Sequence, residues 1–528
     1  GLGTTVPLKD GKGWIPDTVS WGPSDKYIIG NPKPGVIPTE EYENIVEAYA
    51  QAARRSKEAG FDFLSFHFCH GSLPHANLSL LSNQGRTDKY ADRFLMIEEI
   101  IQRTQELCGK DYPIIPRLCV DENLKGGFDI EYFAEHYAPR LHALGISVLD
   151  CTFGSMLMAE SRRQDISSNE FIGPSFYTPK VVNKDNIQTL RKLLVEKGID
   201  MPLIGSANLI TPDHLRTMVD EAGADFAGVC RLSLDDPDFP NKMMEGREDE
   251  IRLSTHTGAS LLQGNIFGKG WAGSAQNPVF GRDDEYRIIP TNRPKKVVVV
   301  GGGSGGMEYA ITAKEIGHDV VVLEKSDSLG GAMDWAGNYK NLPNMEMLRN
   351  QPNYHRKMME KWGVEAKLGV EADVDTILAE KPDVIVLATG GKPAMPQIEG
   401  LEDALASGFA CTIDEAMARK NAPELGQKVL VWGAGEGAEL AVDLKIGGKE
   451  VRLLDVLPQY VPANYIGSRV WAIMALMPIY GVTFEGNRLL TSLKDGKATF
   501  QDSDGGEETI EADNIVICPG RAPNNDLA

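Results

Sequence analysis

The sequence predicts an α/β protein: a (β/α)₈ TIM barrel with its N-terminal strands missing, followed by two nested Rossmann-like dinucleotide-binding domains. Three observations predict this. Up to about Arg252 short apolar strands alternate with amphipathic helices, the pattern of a parallel sheet wrapped by helices. Two glycine-rich turns, Gly301-Gly-Gly303-Ser-Gly-Gly306 and Gly433-Ala-Gly435-Glu-Gly-Ala438, each follow directly on an apolar strand, 297–300 and 429–432. An acidic residue ends the next strand in both cases, Glu324 and Asp455, about 20 residues on as the motif requires.

The elements follow in order. Residues 1–38 read as a loop rich in Gly, Pro and Trp. Five barrel strands are expected at 61–68, 112–120, 147–153, 201–207 and 226–231, with helices at 40–59, 93–107, 130–143, 186–197 and 212–222. Thr39 and Asp185 have the character of helix caps, and Gly60, Gly145, Gly198 and Gly223 that of stops. Five strands of eight would leave bare sheet edges. Further strands are therefore expected upstream of Gly1, where the chain opens in mid-pattern without Met. The barrel domain is assigned to 1–252 and a Gly/Ser/Thr/Asn-rich connector to 253–294. Residues 295–426 with 494–528 are expected to form the first nucleotide domain, and 427–493 a second one inserted in it. In the first, strands are read at 316–323, 383–388 and 514–518, and the closing helix after 519–528 is expected beyond the end of the chain.

Composition narrows the function. A chain of 528 residues is too long for one core and suits two or three domains. No apolar run reaches membrane-spanning length and no signal segment opens the chain. The formal charge of −21 repels nucleic-acid phosphates and anionic membrane, so neither is an expected partner. Seven scattered cysteines without a CxxC pair argue against a disulfide framework or zinc site and for a cytoplasmic protein.

The glycine turns carry the clearest chemistry. A tight Gly turn lets backbone N–H groups approach a pyrophosphate at a helix N-terminus, and the acid ending the next strand then hydrogen-bonds a ribose hydroxyl. Gly301, Gly303, Gly306 and Glu324 form one such set, and Gly433, Gly435, Ala438 and Asp455 the other, where Ala438 replaces the last glycine. Two bound dinucleotides are expected. Asp455 favours NADH over NADPH, because an acid there repels the extra 2′-phosphate, and no Arg follows it.

The stretches Ala59-Gly-Phe-Asp62, His67-Phe-Cys-His70-Gly71, Asn83-Gln-Gly-Arg86-Thr-Asp88-Lys-Tyr90, Ala224-Asp-Phe226, Gly246-Arg247, Asn277-Pro278 and Gly281-Arg282 resemble a known family. It is the group of barrel flavoenzymes related to old yellow enzyme, in the long form of 2,4-dienoyl-CoA reductase, 2-enoate reductase and trimethylamine dehydrogenase. The resemblance spans nearly the whole chain. It implies FMN at the C-terminal mouth of the barrel, FAD on the first cradle and a nicotinamide nucleotide near the second. Arg117, ending a strand, has the fixed positive charge suited to flavin N1 and the C2 carbonyl. Gly205-Ser206 and Cys230-Arg231 look like the family's FMN-phosphate grip. Glu324-Lys325, Gly331 and Gly390 resemble its FAD contacts.

His67 and His70 resemble the family's pair that polarises an enone or enoate carbonyl, making the β-carbon receptive to hydride. A metal is not expected there, since no third His or carboxylate lies nearby in sequence. The chain departs from the family twice. Ser72 stands where many members carry the Tyr that protonates the α-carbon, and a Ser hydroxyl is a far poorer acid. Tyr177, Tyr27, His75 or water are the alternative proton sources. Ser254, Thr257, Leu261 and Ser274 match the four cysteines that hold a [4Fe–4S] cluster in the family, so no cluster is expected.

The expected activity is reduction by NADH, through FAD and FMN, of the C=C bond of an α,β-unsaturated carbonyl: an enoate, enone or enoyl-CoA. One alternative is an oxidative N-demethylase or amine dehydrogenase, with Trp14, Trp21 and Tyr27 as a cation–π bowl. Another is a flavin-binding subunit without activity. Arg162-Arg163 offer charge for a carboxylate or CoA phosphate, and self-association into a homo-oligomer is expected to be feasible.

Overall fold

The computed structural model describes residues 21–24, 35–156, 159–163, 172–174, 177–257, 274–418, 422–460 and 467–528. The chain divides into two compact units, 1–174 with 178–229, and 175–177 with 230–528. In the first, five parallel strands pair in sequence order: β1 (Leu64–Phe68), β2 (Ile114–Asp121), β3 (Leu149–Phe153), β4 (Leu203–Ser206) and β5 (Phe226–Gly228). Side chains alternate along a strand, and the two faces of this sheet differ. Phe66, Phe68, Leu118, Leu149 and Leu203 are buried in one cluster with Tyr42, Val46, Ile97, Ile100, Ile101, Leu190 and Leu194 from the covering helices. Each such aliphatic side chain contributes about 1.5–3 kcal/mol on full burial. Register then fixes the polar residues, with His67 opposite Arg117 and Arg117 opposite Asp150.

Local chemistry explains the departures from the expected elements. The first helix begins at Thr39 with Pro38 in the cap position, and the Thr39 hydroxyl bonds Asp88 instead. Asn183, not Asp185, precedes the helix Lys184–Glu196, although its side chain makes no cap bond. The helix expected over 130–143 breaks at Tyr137, because Pro139 has no N–H to continue the ladder. The expected helix 212–222 widens into a π turn over Thr217–Glu221. All four stop glycines adopt positive φ. Trp21–Gly22 and Gly35–Val36, read as loop, form a short parallel pair.

The second unit contains two parallel sheets. In the first, β6 (Lys296–Val300), β7 (Asp319–Glu324), β8 (Glu365–Leu368) and β9 (Val384–Leu387) run in the order β8-β7-β6-β9. The second holds β10 (Ala410–Thr412), β11 (Lys428–Trp432), β12 (Glu450–Leu454), β13 (Phe484–Glu485) and, at the far end of the sequence, β14 (Asn514–Ile517). Its order is β10-β14-β11-β12-β13. This corrects one expected boundary: β10 and β14, assigned above to the first nucleotide domain, flank the strand that leads into the second cradle. Ile515 and Ile517 bury there with Leu430 and Trp432, and an apolar strand does not declare its partner in its own sequence. Among the described residues, no helix is long and apolar enough to cross a membrane.

Candidate active site

The barrel's polar face ends in a compact constellation. His67, on β1, is exposed; His70, just past that strand, is buried, and the two ring centroids lie 5.3 Å apart. His70 has φ +58° and Gly71 φ +81°. A left-handed backbone at a non-glycine residue costs roughly 1–2 kcal/mol, offset here by local bonds. The His70 Nε2 lies 2.8 Å from the Thr152 hydroxyl on β3. Burial, and then the Arg117 charge, lower the pKa of both histidines, His70 well below the usual range. Both are thus neutral imidazoles, able to donate one N–H each.

Arg117 Nη1 donates to both carboxylate oxygens of Asp150 at 2.7 Å. Burial opposes its charge, but Asp150 outweighs burial, so the guanidinium stays charged and fixed in place. Between the two histidines in sequence, Cys69 is a further donor whose Sγ lies within 4.8 Å of ring nitrogens of both His67 and His70. A thiol thus joins the two imidazoles, although among the described residues no third His or carboxylate does. The chemistry still disfavours a cation: burial pushes the Cys69 thiol up to about 12, and the Arg117 charge lies close by.

The candidate acids sit as follows. Ser72 is buried, and its hydroxyl has no hydrogen-bond partner among the described residues. His75 is fully buried, with Nδ1 accepting from the Gly71 N–H at 2.7 Å. Tyr177 belongs to the second unit, where its hydroxyl donates to Glu439 in the helix Ala434–Ile446. Tyr27, Trp14 and Leu261 lie outside the described residues. Arg162, one of the two arginines offered for a carboxylate or CoA phosphate, pairs with Asp121.

Of the expected phosphate grip, Gly205 and Ser206 end β4 in the first unit. A Cβ on Gly205 would lie 2.7 Å from Met218 Cγ, so packing requires the glycine. Cys230 is exposed and Arg231 half-buried at the start of the second unit's main segment. Burial pulls the Arg231 guanidinium down to about 10, which leaves it charged at neutral pH.

The two cradles share one local design. A Cβ on Gly301 would lie 2.8 Å from the Ala388 carbonyl carbon, and one on Gly433 2.8 Å from that of Cys518; both glycines have φ of +100° or more. Glu324 accepts from the Gly302 N–H at 2.6 Å, and Asp455 from the Ala434 N–H at 2.6 Å, the same position in each turn. Each acid is thereby aimed along its turn with lone pairs left for a ribose hydroxyl. Gly331 packs on Gly303, where its own Cβ would come within 2.9 Å of the Gly303 Cα. Gly390 has φ +70° after β9, and Lys325 is exposed. Gly306 approaches Gly301, whereas in the second cradle the close contact falls to Gly437, whose Cβ would meet Val431 at 2.6 Å. This explains how Ala438 is accommodated there. The residues fit two dinucleotides.

Among the described residues of the connector, those that match the family's cluster cysteines do not fit a [4Fe–4S] cluster. Ser274 donates to the Asp235 carboxylate, and Ser254 and Gln276 face the same group. The Ser274 hydroxyl also accepts from the Asn277 N–H at 2.8 Å. Ser254, Thr257 and Ser274 offer hydroxyls where such a cluster needs thiolates.

A half-barrel with neutral imidazoles beside a fixed guanidinium, in one chain with two acid-tipped glycine cradles, defines a flavin-dependent oxidoreductase that uses a nicotinamide nucleotide. Comparison with known proteins bears this out. Residues 17–250 match the NADH:flavin oxidoreductase / NADH oxidase family, 296–379 an FAD binding domain and 348–528 the pyridine nucleotide-disulphide oxidoreductases. An NADH oxidase of Thermoanaerobacter brockii is 30% identical over 497 residues, covering 93% of this chain and 73% of that protein. A cinnamate reductase of Clostridium sporogenes is 27% identical over 94% of this chain and 74% of its own length. The solved complex of a 2-naphthoyl-CoA reductase with 2-naphthoyl-CoA superposes with a TM-score of 0.86 at 27% identity, covering all of this chain and 76% of that one. The chain belongs to the NADH:flavin oxidoreductase / NADH oxidase family, with the barrel and nucleotide-binding domains of its long, 2,4-dienoyl-CoA reductase-like form.

Proposed function

We propose that this enzyme uses NADH to reduce the C=C bond of an α,β-unsaturated carbonyl compound. The observation that carries the reading is the neutral His67–His70 pair, with ring centroids 5.3 Å apart, beside the Arg117–Asp150 ion pair. Bound FAD and FMN supply the hydride chemistry that takes electrons from NADH and delivers them to the alkene. The chain's own residues supply the rest. His67 and His70 hold the substrate carbonyl oxygen with N–H donors, and neutral rings do so without protonating it in the ground state. Arg117, anchored by Asp150, keeps a positive charge where negative charge gathers on flavin reduction. Gly205 and Ser206, ending β4 of the first unit, would contribute to the FMN-phosphate site, and the first cradle would hold FAD. Asp455 selects NADH by repelling a 2′-phosphate. The α-carbon proton comes from water, with the unpartnered Ser72 hydroxyl as its contact.

The activities named for the cinnamate and 2-naphthoyl-CoA reductases support an alkene conjugated to a carboxylate or thioester as substrate. Electrons pass without an iron–sulfur relay; iron and acid-labile sulfide assays after anaerobic reconstitution should find far less than one cluster per chain, and stoichiometric amounts would refute this. Its proposed setting is the cytoplasm, in keeping with seven free cysteines, and its proposed ligands are small molecules. The test of function is incubation of flavin-loaded enzyme with NADH and cinnamate under anoxia. Formation of 3-phenylpropionate supports the reading. Demethylation of a tertiary amine, with no reduction of cinnamate, an enone or an enoyl thioester, would replace it.

A further inference from the structure

The left-handed step at His70 and Gly71 is supported from outside the site itself. His75, in the helix Leu73–Leu78, accepts the Gly71 N–H on Nδ1 at 2.7 Å. A neutral ring that accepts on Nδ1 carries its proton on Nε2. That nitrogen lies 3.5 Å from Oε1 of Glu122, an electrostatic contact rather than a hydrogen bond, and both side chains are fully buried. Glu122 follows β2, and its other oxygen accepts from the Phe128 N–H at 3.0 Å. The Ser79 hydroxyl bonds the same carboxyl, and the Phe128 ring stands edge-on to His75 at 6.0 Å. A Cβ on Gly127 would lie 2.7 Å from Glu122 Oε2, so the turn after β2 closes tightly around this group. Burying an imidazole and a carboxyl is costly unless both are used, and apolar residues would fill the same space.

We propose that His75 and Glu122 are positioning residues for the candidate site. Glu122 fixes the tautomer of His75, His75 pins the Gly71 amide, and the pinned amide holds His70 in the left-handed conformation that sets its ring between Thr152 and His67. This rests on the reading of His67 and His70 as the pair that holds the substrate carbonyl.

The test uses the flavin-loaded enzyme, reduced with dithionite under anoxia and reoxidised by cinnamate. His75→Asn keeps an acceptor near the place of Nδ1 and should reoxidise within about threefold of the parent rate. His75→Leu removes the acceptor and should be about 10- to 100-fold slower, with flavin content and bleaching by NADH unchanged. Should His75→Leu fail to hold flavin, Glu122→Gln decides: its size is kept, one acceptor becomes a donor, and reoxidation should slow at least about fivefold. Long-range ¹H–¹⁵N spectra of histidine-labelled protein give a second readout, with the His75 proton on Nε2 in the parent and a tautomer mixture in Glu122→Gln. A parental reoxidation rate in His75→Leu or Glu122→Gln, while His67→Ala is slow, overturns the positioning role alone. A proton on Nδ1 of His75 in the parent overturns it whatever the rates. A parental rate in His67→Ala overturns the reading of the histidine pair, and the positioning role with it.

Discussion

Replacing Gly301 by Ala should cost the protein its FAD and leave FMN in place. The new Cβ would lie 2.8 Å from the Ala388 carbonyl carbon, closer still to its oxygen, and at a φ of +109°. An L-residue forced into left-handed backbone costs about 1–2 kcal/mol, and displacing backbone to relieve overpacking about 1–3 kcal/mol more. A penalty of about 3 kcal/mol on the binding-competent cradle corresponds to about a 100-fold loss of FAD affinity. Gly433→Ala meets the same geometry, 2.8 Å from the Cys518 carbonyl carbon at φ +100°. It should raise the KM for NADH by a similar factor with both flavins retained. Gly305→Ala is the internal control: its Cβ meets nothing within 4 Å, and the residue lies inside a helix, where Ala is favoured by up to about 1 kcal/mol. The assay is release of flavins by denaturation, with chromatographic separation of FMN from FAD, alongside NADH kinetics. Stoichiometric FAD in Gly301→Ala, or equal losses in Gly305→Ala, would refute the assignment of the first cradle.

Arg117→Met strands the half-buried Asp150 carboxylate, and urea denaturation should show a loss of about 3 kcal/mol, partly restored by adding Asp150→Asn; a loss below about 1 kcal/mol would contradict the fixed ion pair. Burial pushes Glu122 up to about 7, so as pH rises from its unfolded value of about 4.5 the unfolded chain gives up a proton that the native state keeps. Stability from this group therefore falls between about pH 4.5 and 7, by up to about 3 kcal/mol, and Glu122→Gln should remove that fall. His75, pushed down to about 3 by burial, has the opposite slope from about pH 3 to 6.5 in both proteins; parallel denaturation profiles of parent and variant would contradict the Glu122 assignment. Tyr177→Phe removes the donor to Glu439 and should cost about 1–3 kcal/mol on thermal denaturation while reoxidation by cinnamate stays within about threefold. A 100-fold slower reoxidation would instead make Tyr177 the proton donor.

Much of the architecture was legible because local signals agreed. The strand expected at 429–432 is found as Lys428–Trp432, and all five barrel strands fall inside or within a residue of their apolar runs. Both cradles were readable because only glycine fits against the Ala388 and Cys518 carbonyls. What escaped depends on contacts distant in sequence. The Asn514–Ile517 strand carries no mark of whether it pairs with the first or second sheet. The Tyr177 partner lies 262 residues away. Cys69 reads as an ordinary core cysteine, and only the structure shows both the His67 and His70 rings beside it. Gly437 was passed over in favour of Ala438 because the helix after the second cradle starts earlier relative to its glycines than the first one does.

The account stands or falls on whether the barrel delivers electrons to a polarised alkene. In a single-turnover experiment under anoxia, NADH should bleach the flavins of the loaded enzyme, and cinnamate or another α,β-unsaturated carbonyl should restore their colour as saturated product forms. Flavins that bleach with NADH and stay reduced in the presence of every enoate, enone and enoyl thioester offered would contradict it.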